Sequence, residues 1–141
     1  DVYKRQGLPS LNDVAAIAAL NQCLVEAVSR DFERGNITEP LKPWHVQENK
    51  WRAARYGLDA IIIQNNRNDE LLVTEDITRL LNKFEPIAAD LGCSAELAYV
   101  ERIIADGGSS KQQRQVAAAS NGNLSEVVKY LVAEGKKPFA V

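Results

Sequence analysis

One stretch of the chain, residues 44–60, holds the side chains best suited to chemistry. Both tryptophans, the only histidine and three cations fall between Trp44 and Arg55. On a helix, residues three, four and seven positions apart share a face. This spacing predicts two neighbouring stripes, one of His45, Asn49, Arg52 and Tyr56, and one of Trp44, Glu48, Trp51 and Arg55. A helix that interleaves bulky aromatic, guanidinium and amide groups in this way is typical of the wall of a binding cleft.

The chemistry that these groups favour is the binding of an anion. A polyphosphate or an amino-acid carboxylate needs donors that keep their charge at neutral pH, and an arginine fork can bind two oxygens at once. Arg52 and Arg55 are therefore the best candidates, and Asn49 adds a neutral donor. The tryptophans would hold the helix rigid against neighbouring elements.

A simpler interpretation of the same stretch is a solvated helix face. Arginine and lysine on a helix usually point into water, with weak pairs such as Glu48 with Arg52, and tryptophans lie more often in a core than in a cleft. The pattern by itself favours this interpretation. His45 has no second histidine or cysteine for a metal or nucleophile set, so a structural role is expected.

The chain is predicted to be mainly α, with about six helices that position these side chains. The first helix runs from Leu11 towards Gly35 behind a cap at Ser10, and the second runs from about Trp44 to Tyr56 and stops at Gly57. Between them lies a loop with two prolines, residues 36–43. Residues 60–64 and 70–73 could pair as a short hairpin across the asparagine-rich turn at 65–68.

Four shorter helices are predicted after the hairpin. Thr74 is expected to cap a helix that ends at Gly92, and Ser94 opens another that ends at Gly107. The last two are predicted over residues 110–119 and 124–134.

The first helix is apolar on most of its sides. Glu26 is the only charge between Asp13 and Val28. We expect such a helix to be buried against a larger body.

Composition limits the partners. The net charge of -2 and pI near 5.5 give no positive field for nucleic acid or anionic lipid. No uncharged apolar run approaches the roughly 20 residues that cross a bilayer, and we expect a cytoplasmic protein without nucleic-acid or membrane partners.

Cys23 and Cys93 are expected to be reduced packing residues. The absence of methionine leads us to expect a piece of a longer protein, with residues 1–6 as a non-native junction.

The string from Glu48 to Ala60, ENKWRAARYGLDA, resembles the signature of the type 2 glutamate-cysteine ligases, also called carboxylate-amine ligases. The segments GLPSL at 7–11 and LGCSAEL at 91–97 are similar to segments before and after it in that family. The resemblance extends from Gly7 to about Tyr130 and implies the C-terminal helical part, residues 7–141, of an α+β, glutamine-synthetase-like enzyme.

The activity implied by the resemblance is the ATP-driven joining of L-glutamate to L-cysteine, or to another amine, with magnesium on the phosphates. By position in the motif, Asn49, Arg52 and Arg55 become substrate or nucleotide contacts, and Lys50 and Tyr56 are added to them. The carboxylates that bind metal in the family lie earlier in its chain, so no catalytic residue or metal ligand is expected in this piece. We therefore expect it to be inactive alone.

Two other interpretations remain. A non-enzymatic helical interaction module would use the apolar first helix to dock a partner, and a homo-oligomer is compatible with either function. A helix-turn-helix nucleic-acid binder is disfavoured, because Lys111, Arg114 and Lys129 are few and dispersed among acidic residues.

Overall fold

The computed structural model describes residues 10–36 and 38–140, and within them the first element is the helix α1, Leu11–Glu33. The Ser10 hydroxyl accepts hydrogen bonds from the backbone N–H groups of Asn12 and Asp13, which confirms the predicted cap. The buried face of α1 carries only small residues, namely Ala16, Ala19, Cys23 and Ala27. Small side chains let neighbouring helices approach closely.

Two later helices complete the core against this face. They are α3, Val73–Leu91, and α4, Ser94–Asp106, and they meet at Gly92, which has the left-handed conformation (φ 72°) of a helix C-cap. The core they form with α1 is apolar; its largest member is the fully buried Phe84, packed with Leu81, Ile87, Ala88, Leu97 and Val100.

A smaller unit of helix and hairpin stands between α1 and α3 in the chain. It consists of α2, Pro43–Tyr56, a 3-10 turn, Gly57–Asp59, and the antiparallel strands β1, Ile61–Ile63, and β2, Glu70–Leu72. Ile61 pairs with Leu72 and Ile63 with Glu70. The predicted hairpin is therefore confirmed, with its strands a residue or two shorter than expected.

The last two helices are α5, Gly108–Ala119, and α6, Leu124–Gly135, which pack on each other. Neither contains a fully buried residue. The Tyr130 hydroxyl on α6 donates to the side-chain carbonyl of Gln112 on α5 at 2.6 Å. This pair is held more weakly than the core of α1, α3 and α4.

Three details of the prediction were wrong. Thr74 is not a cap, because α3 begins at Val73, whose N–H donates to the carbonyl of Ala60 at 2.9 Å and so continues the hairpin ladder into the helix. The 3-10 turn at Gly57–Asp59 was not expected, and α5 begins at Gly108 instead of Ser110. The predicted junction at residues 1–6 lies outside the described residues.

The face of α1 that points away from α3 and α4 is apolar and exposed, so the described residues do not bury this helix on most of its sides as the sequence predicted. Val14, Leu24 and Val28 are 44%, 43% and 60% exposed. By length and composition alone, α1 is also apolar enough to cross a membrane, but core helices of soluble proteins pass the same test. The expected lack of a membrane partner therefore stays a prediction.

The core thiol of Cys23 should make stability depend on pH. Burial, reinforced by a hydrogen bond with the Cys93 thiol (Sγ–Sγ 3.9 Å), raises the Cys23 pKa from 9.0 to about 11. Between these values the unfolded chain loses the proton and the folded chain keeps it, so the free energy of unfolding falls as pH rises. We expect the urea midpoint to fall more steeply between pH 9 and 11 in the natural chain than in Cys23→Ala. Equal slopes would contradict this account.

Candidate functional site

The side-chain amide of Asn49 attaches α2 to the hairpin. Its Nδ2 donates to the carbonyl of Ile63 at 2.9 Å, and its Oδ1 accepts from the N–H of Ile63 at 2.8 Å. The amide thus pairs with β1 much as a neighbouring strand would. Both backbone groups of a buried residue are satisfied by one side chain, which is a strong positional constraint.

Arg52, one helical turn further on, makes a second attachment. Its Nε donates to Glu48 at 2.8 Å, and its Nη1 donates to Glu70 at 2.6 Å and to the carbonyl of Ile61 at 3.0 Å. The hydrogen bonds to Glu48 and Glu70 raise the Arg52 pKa above its ordinary value. The guanidinium therefore stays charged, and that charge is already paired within the chain.

His45 closes the other end of the same interface. Its ring is fully buried, with Nδ1 3.3 Å from Asn66 Oδ1 and Nε2 2.8 Å from Asn68 Oδ1. Asn66 Oδ1 also accepts from the N–H of Lys42, and its Nδ2 donates to the carbonyl of Pro40. This fixes the amide orientation and makes His45 Nδ1 the donor. The geometry agrees with the structural role predicted for His45.

A groove between α2 and the hairpin exposes part of this interface. It is lined by Trp44, Glu48, Arg52, Ile63, Asn68 and Glu70. One guanidinium faces two carboxylates there, so the groove has no surplus positive charge. Within residues 10–36 and 38–140, no group of three or more histidine, cysteine, aspartate or glutamate side chains is placed to hold a metal ion.

The neighbouring stripe of α2 and the C-terminal end of the helix carry exposed aromatic and cationic groups. The Arg55 guanidinium carbon lies 5.9 Å from the centre of the Trp51 ring and 5.7 Å from that of Tyr56. The two rings meet edge to face at 6.0 Å, and both are about half exposed. Unlike Arg52, Arg55 has no carboxylate partner in the described ranges. Its cation–π contacts orient the guanidinium and leave its N–H groups free.

A small polar pocket adjoins this cluster where α2 ends. Its wall is formed by Tyr56, the 3-10 turn, the start of α3 and the α4–α5 turn, with Ser110, Lys111 and Arg114 from α5. Gly107 and Gly108 both have positive φ (78° and 75°), and a Cβ on Gly107 would overlap the Lys111 side chain. Two glycines in succession therefore let α5 begin beside the end of α2 and let Lys111 lie over the turn.

The five predicted binding residues thus divide into two sets. Asn49 and Arg52 face the hairpin and hold it, whereas Lys50, Arg55 and Tyr56 are exposed. Their binding roles stay predictions. Lys111 and Arg114 were not predicted as site residues, although the run Gly107-Gly108-Ser109-Ser110-Lys111 at a helix start was a usable signal.

Comparison with known proteins identifies the class. The sequence model of Glutamate-cysteine ligase family 2 matches residues 6–130, and the chain belongs to that family. It is 53% identical over 128 residues to "Putative glutamate--cysteine ligase 2-1" of Arthrobacter sp. (strain FB24), covering 91% of this chain and 33% of that protein. It is 46% identical to "Putative glutamate--cysteine ligase 2" of Mycobacterium tuberculosis (strain ATCC 25177 / H37Ra), covering 91% of this chain and 34% of that protein. The chain therefore spans about a third of the length of the curated relatives it matches.

The two hydrogen bonds between the Asn49 amide and the backbone of Ile63 should contribute measurably to the free energy of unfolding. Asn49→Ala leaves the N–H and carbonyl of the buried Ile63 without their partner, at a cost of roughly 1–3 kcal/mol. Lys50→Ala, at the next and exposed position, should change stability by less than about 0.5 kcal/mol. Urea unfolding of both variants measures the difference. Equal free energies of unfolding for the two variants would show that Asn49 does not hold α2 to the hairpin.

Proposed function

We propose that this chain is the helical portion of an ATP-dependent carboxylate-amine ligase that joins L-glutamate to L-cysteine and releases ADP and phosphate. Membership of Glutamate-cysteine ligase family 2 and the names of the relatives support the ligase and its substrates. The reaction needs two steps. The glutamate side-chain carboxylate takes the terminal phosphoryl group of ATP and ADP leaves, and the cysteine amine then displaces phosphate from the acyl phosphate.

The contribution of this chain is a set of fixed cations at the end of α2. The observation that carries this proposal is the Trp51–Arg55–Tyr56 cluster, in which a guanidinium is oriented by two rings and has no carboxylate partner among residues 10–36 and 38–140. Lys50 lies on the same exposed helix, and Lys111 and Arg114 line the pocket next to Tyr56. Preorganised cations of this kind stabilise charge on a carboxylate or a transferring phosphoryl group.

Asn49 and Arg52 act in this proposal by positioning. They hold α2 against the hairpin, so that Arg55 and Tyr56 meet the substrate at a defined place. Magnesium prefers an oxygen set rich in carboxylates. The described residues do not provide such a set, so we assign the metal and most of the ATP contacts to the rest of the ligase.

A second candidate function is a non-enzymatic interaction module, which the exposed apolar face of α1 favours. Such a module should behave as a monodisperse, cooperatively folding protein. A piece of a ligase should instead associate and bind hydrophobic dyes. Size-exclusion chromatography with dye binding separates the two. For the whole ligase we propose a cytoplasmic enzyme, with a homo-oligomer possible and without nucleic-acid or membrane partners.

The isolated chain should not turn over ATP. The described residues lack a metal-binding carboxylate cluster, and the chain spans about a third of its relatives. Phosphate release should therefore equal the background without protein when ATP, magnesium, glutamate and cysteine are supplied. Turnover above that background would show that this chain contains a complete active site.

Loss of Arg55 should impair catalysis in a full-length ligase carrying this chain. Arg55→Gln removes charged hydrogen bonds to the substrate anion, and kcat/KM should fall roughly 10- to 100-fold with little change in stability. Arg55→Lys keeps the charge and loses the planar fork, so it should recover part of the loss.

The matched control is Arg67→Gln in the hairpin turn, where the side chain is 85% exposed and pairs only with its neighbour Asp69. Its kcat/KM should stay within about twofold of the natural value. Steady-state kinetics with each substrate varied in turn make the comparison. If the kcat/KM of Arg55→Gln stayed within about twofold of the natural value, as expected for this control, Arg55 would not belong to the site.

A further inference from the structure

The outer face of α1 presents large apolar side chains that the described residues leave largely exposed. Exposure reaches 69% at Val25 and 70% at Phe32. The buried face, with only alanines and Cys23, lies on the opposite side of the helix. The helix is therefore apolar on two opposite faces, as is typical of a helix in the core of a larger protein. The exposed face, called the outer face below, consists of Leu11, Val14, Ile17, Leu24, Val25, Val28 and Phe32.

The charged and polar groups of α1 do not oppose burial of the outer face. Arg30 pairs with Asp90 at 3.0 Å and Asp31 with Lys83 at 3.1 Å, and both pairs tie α1 to α3. Asn21, in the middle of the outer face, donates its side-chain N–H to the carbonyl of Ile17 at 2.8 Å. Because that donor is already satisfied within the helix, Asn21 adds little to the cost of covering the face.

The breadth of the outer face decides between a second copy of the chain and a different body. Two-stranded coiled coils usually flank a narrow apolar seam with charged residues that select the partner. Here Ile17 and Leu24 widen the seam on one side, and the other side carries the uncharged Ala15, Gln22 and Ser29. A broad, uncharged face suits a layer of protein core better than a seam between copies.

The length of the relatives indicates which part of the protein covers the outer face. The chain corresponds to 33% of the Arthrobacter protein, so two thirds of a family member lies outside it. We propose that the outer face of α1 packs against this remaining two thirds of the ligase and makes α1 a central helix between two layers. This inference rests on the proposed function, in that it takes the chain to work as part of a full-length ligase.

The test is the reactivity of a thiol on the outer face. Val25→Cys is made in the 141-residue chain and in a full-length ligase in which this chain replaces the matching third of the Arthrobacter relative. Alkylation is followed site by site by mass spectrometry, with the native, fully buried Cys23 as the slow reference. Gln22→Cys, at the polar edge of the same helix, is the matched control.

We expect Val25→Cys to react at least about tenfold more slowly in the full-length ligase than in the chain alone, when both are diluted until the chain is monomeric. The change at Gln22→Cys should be smaller. Equal rates for Val25→Cys in the two proteins would overturn the inference. Protection in the full-length ligase that is lost on dilution would instead indicate a second copy, and protection only with phosphatidylcholine vesicles would indicate a membrane; either would overturn it too.

A second measurement does not depend on the fusion. The chain and the remaining two thirds of the relative are co-expressed as separate polypeptides, and we expect them to purify together. The double variant Val25→Glu/Val28→Glu should abolish this, because it buries two unpaired carboxylates, whereas Gln22→Glu should not. Co-purification unaffected by the double variant would contradict the inference. Neither measurement uses catalysis, so a protected thiol in an inactive ligase would refute only the proposed function.

Discussion

The attachment of α2 to the hairpin is the constraint on which the candidate site depends. Asn49 pairs with both backbone groups of Ile63, Arg52 joins two carboxylates and a strand carbonyl, and the buried His45 fixes the turn. These bonds lie at both ends and in the middle of one helix face, so α2 cannot rotate without breaking several of them. Trp51 and Arg55 on the neighbouring stripe, and Tyr56 at the end of the helix, are thereby held in one orientation.

The hairpin transmits this position to the rest of the chain. The strand β2 passes directly into α3, and the Val73 N–H to Ala60 carbonyl bond joins the two without a capping side chain. The helix α3 belongs to the core with α1 and α4. Because β2 continues into α3 without an intervening residue, the hairpin fixes the position of the site relative to that core. The α4–α5 turn, with its two positive-φ glycines, then brings Lys111 and Arg114 to the end of α2. Two cationic side chains of α5 therefore lie beside Tyr56 and the 3-10 turn, which are distant from them in the sequence.

Sequence patterns predicted the helices well where local chemistry decides the boundary, as at Ser10 and Gly92, and the hairpin where an asparagine-rich turn follows a β-branched run. They failed at Thr74, where a long-range backbone bond replaced a local cap. They placed Arg52 and Arg55 on different stripes but predicted a binding role for both, because the local spacing does not show the distant partners of Arg52. The partners of Arg52 at Ile61 and Glu70 lie 9 and 18 residues away, and only folding brings them together.

The central claim is that the bonds of His45, Asn49 and Arg52 to the hairpin fix α2 so that Arg55, on the neighbouring stripe of the helix, meets a substrate anion. A crystal structure of a full-length ligase containing this chain, with a non-hydrolysable ATP analogue and glutamate bound, tests it most directly. The account predicts an Arg55 guanidinium nitrogen within about 3.2 Å of a phosphate or carboxylate oxygen, with Arg52 still bonded to Glu48 and Glu70. An Arg55 side chain in open solvent, with Arg52 released from the hairpin to hold the ligand, would contradict it.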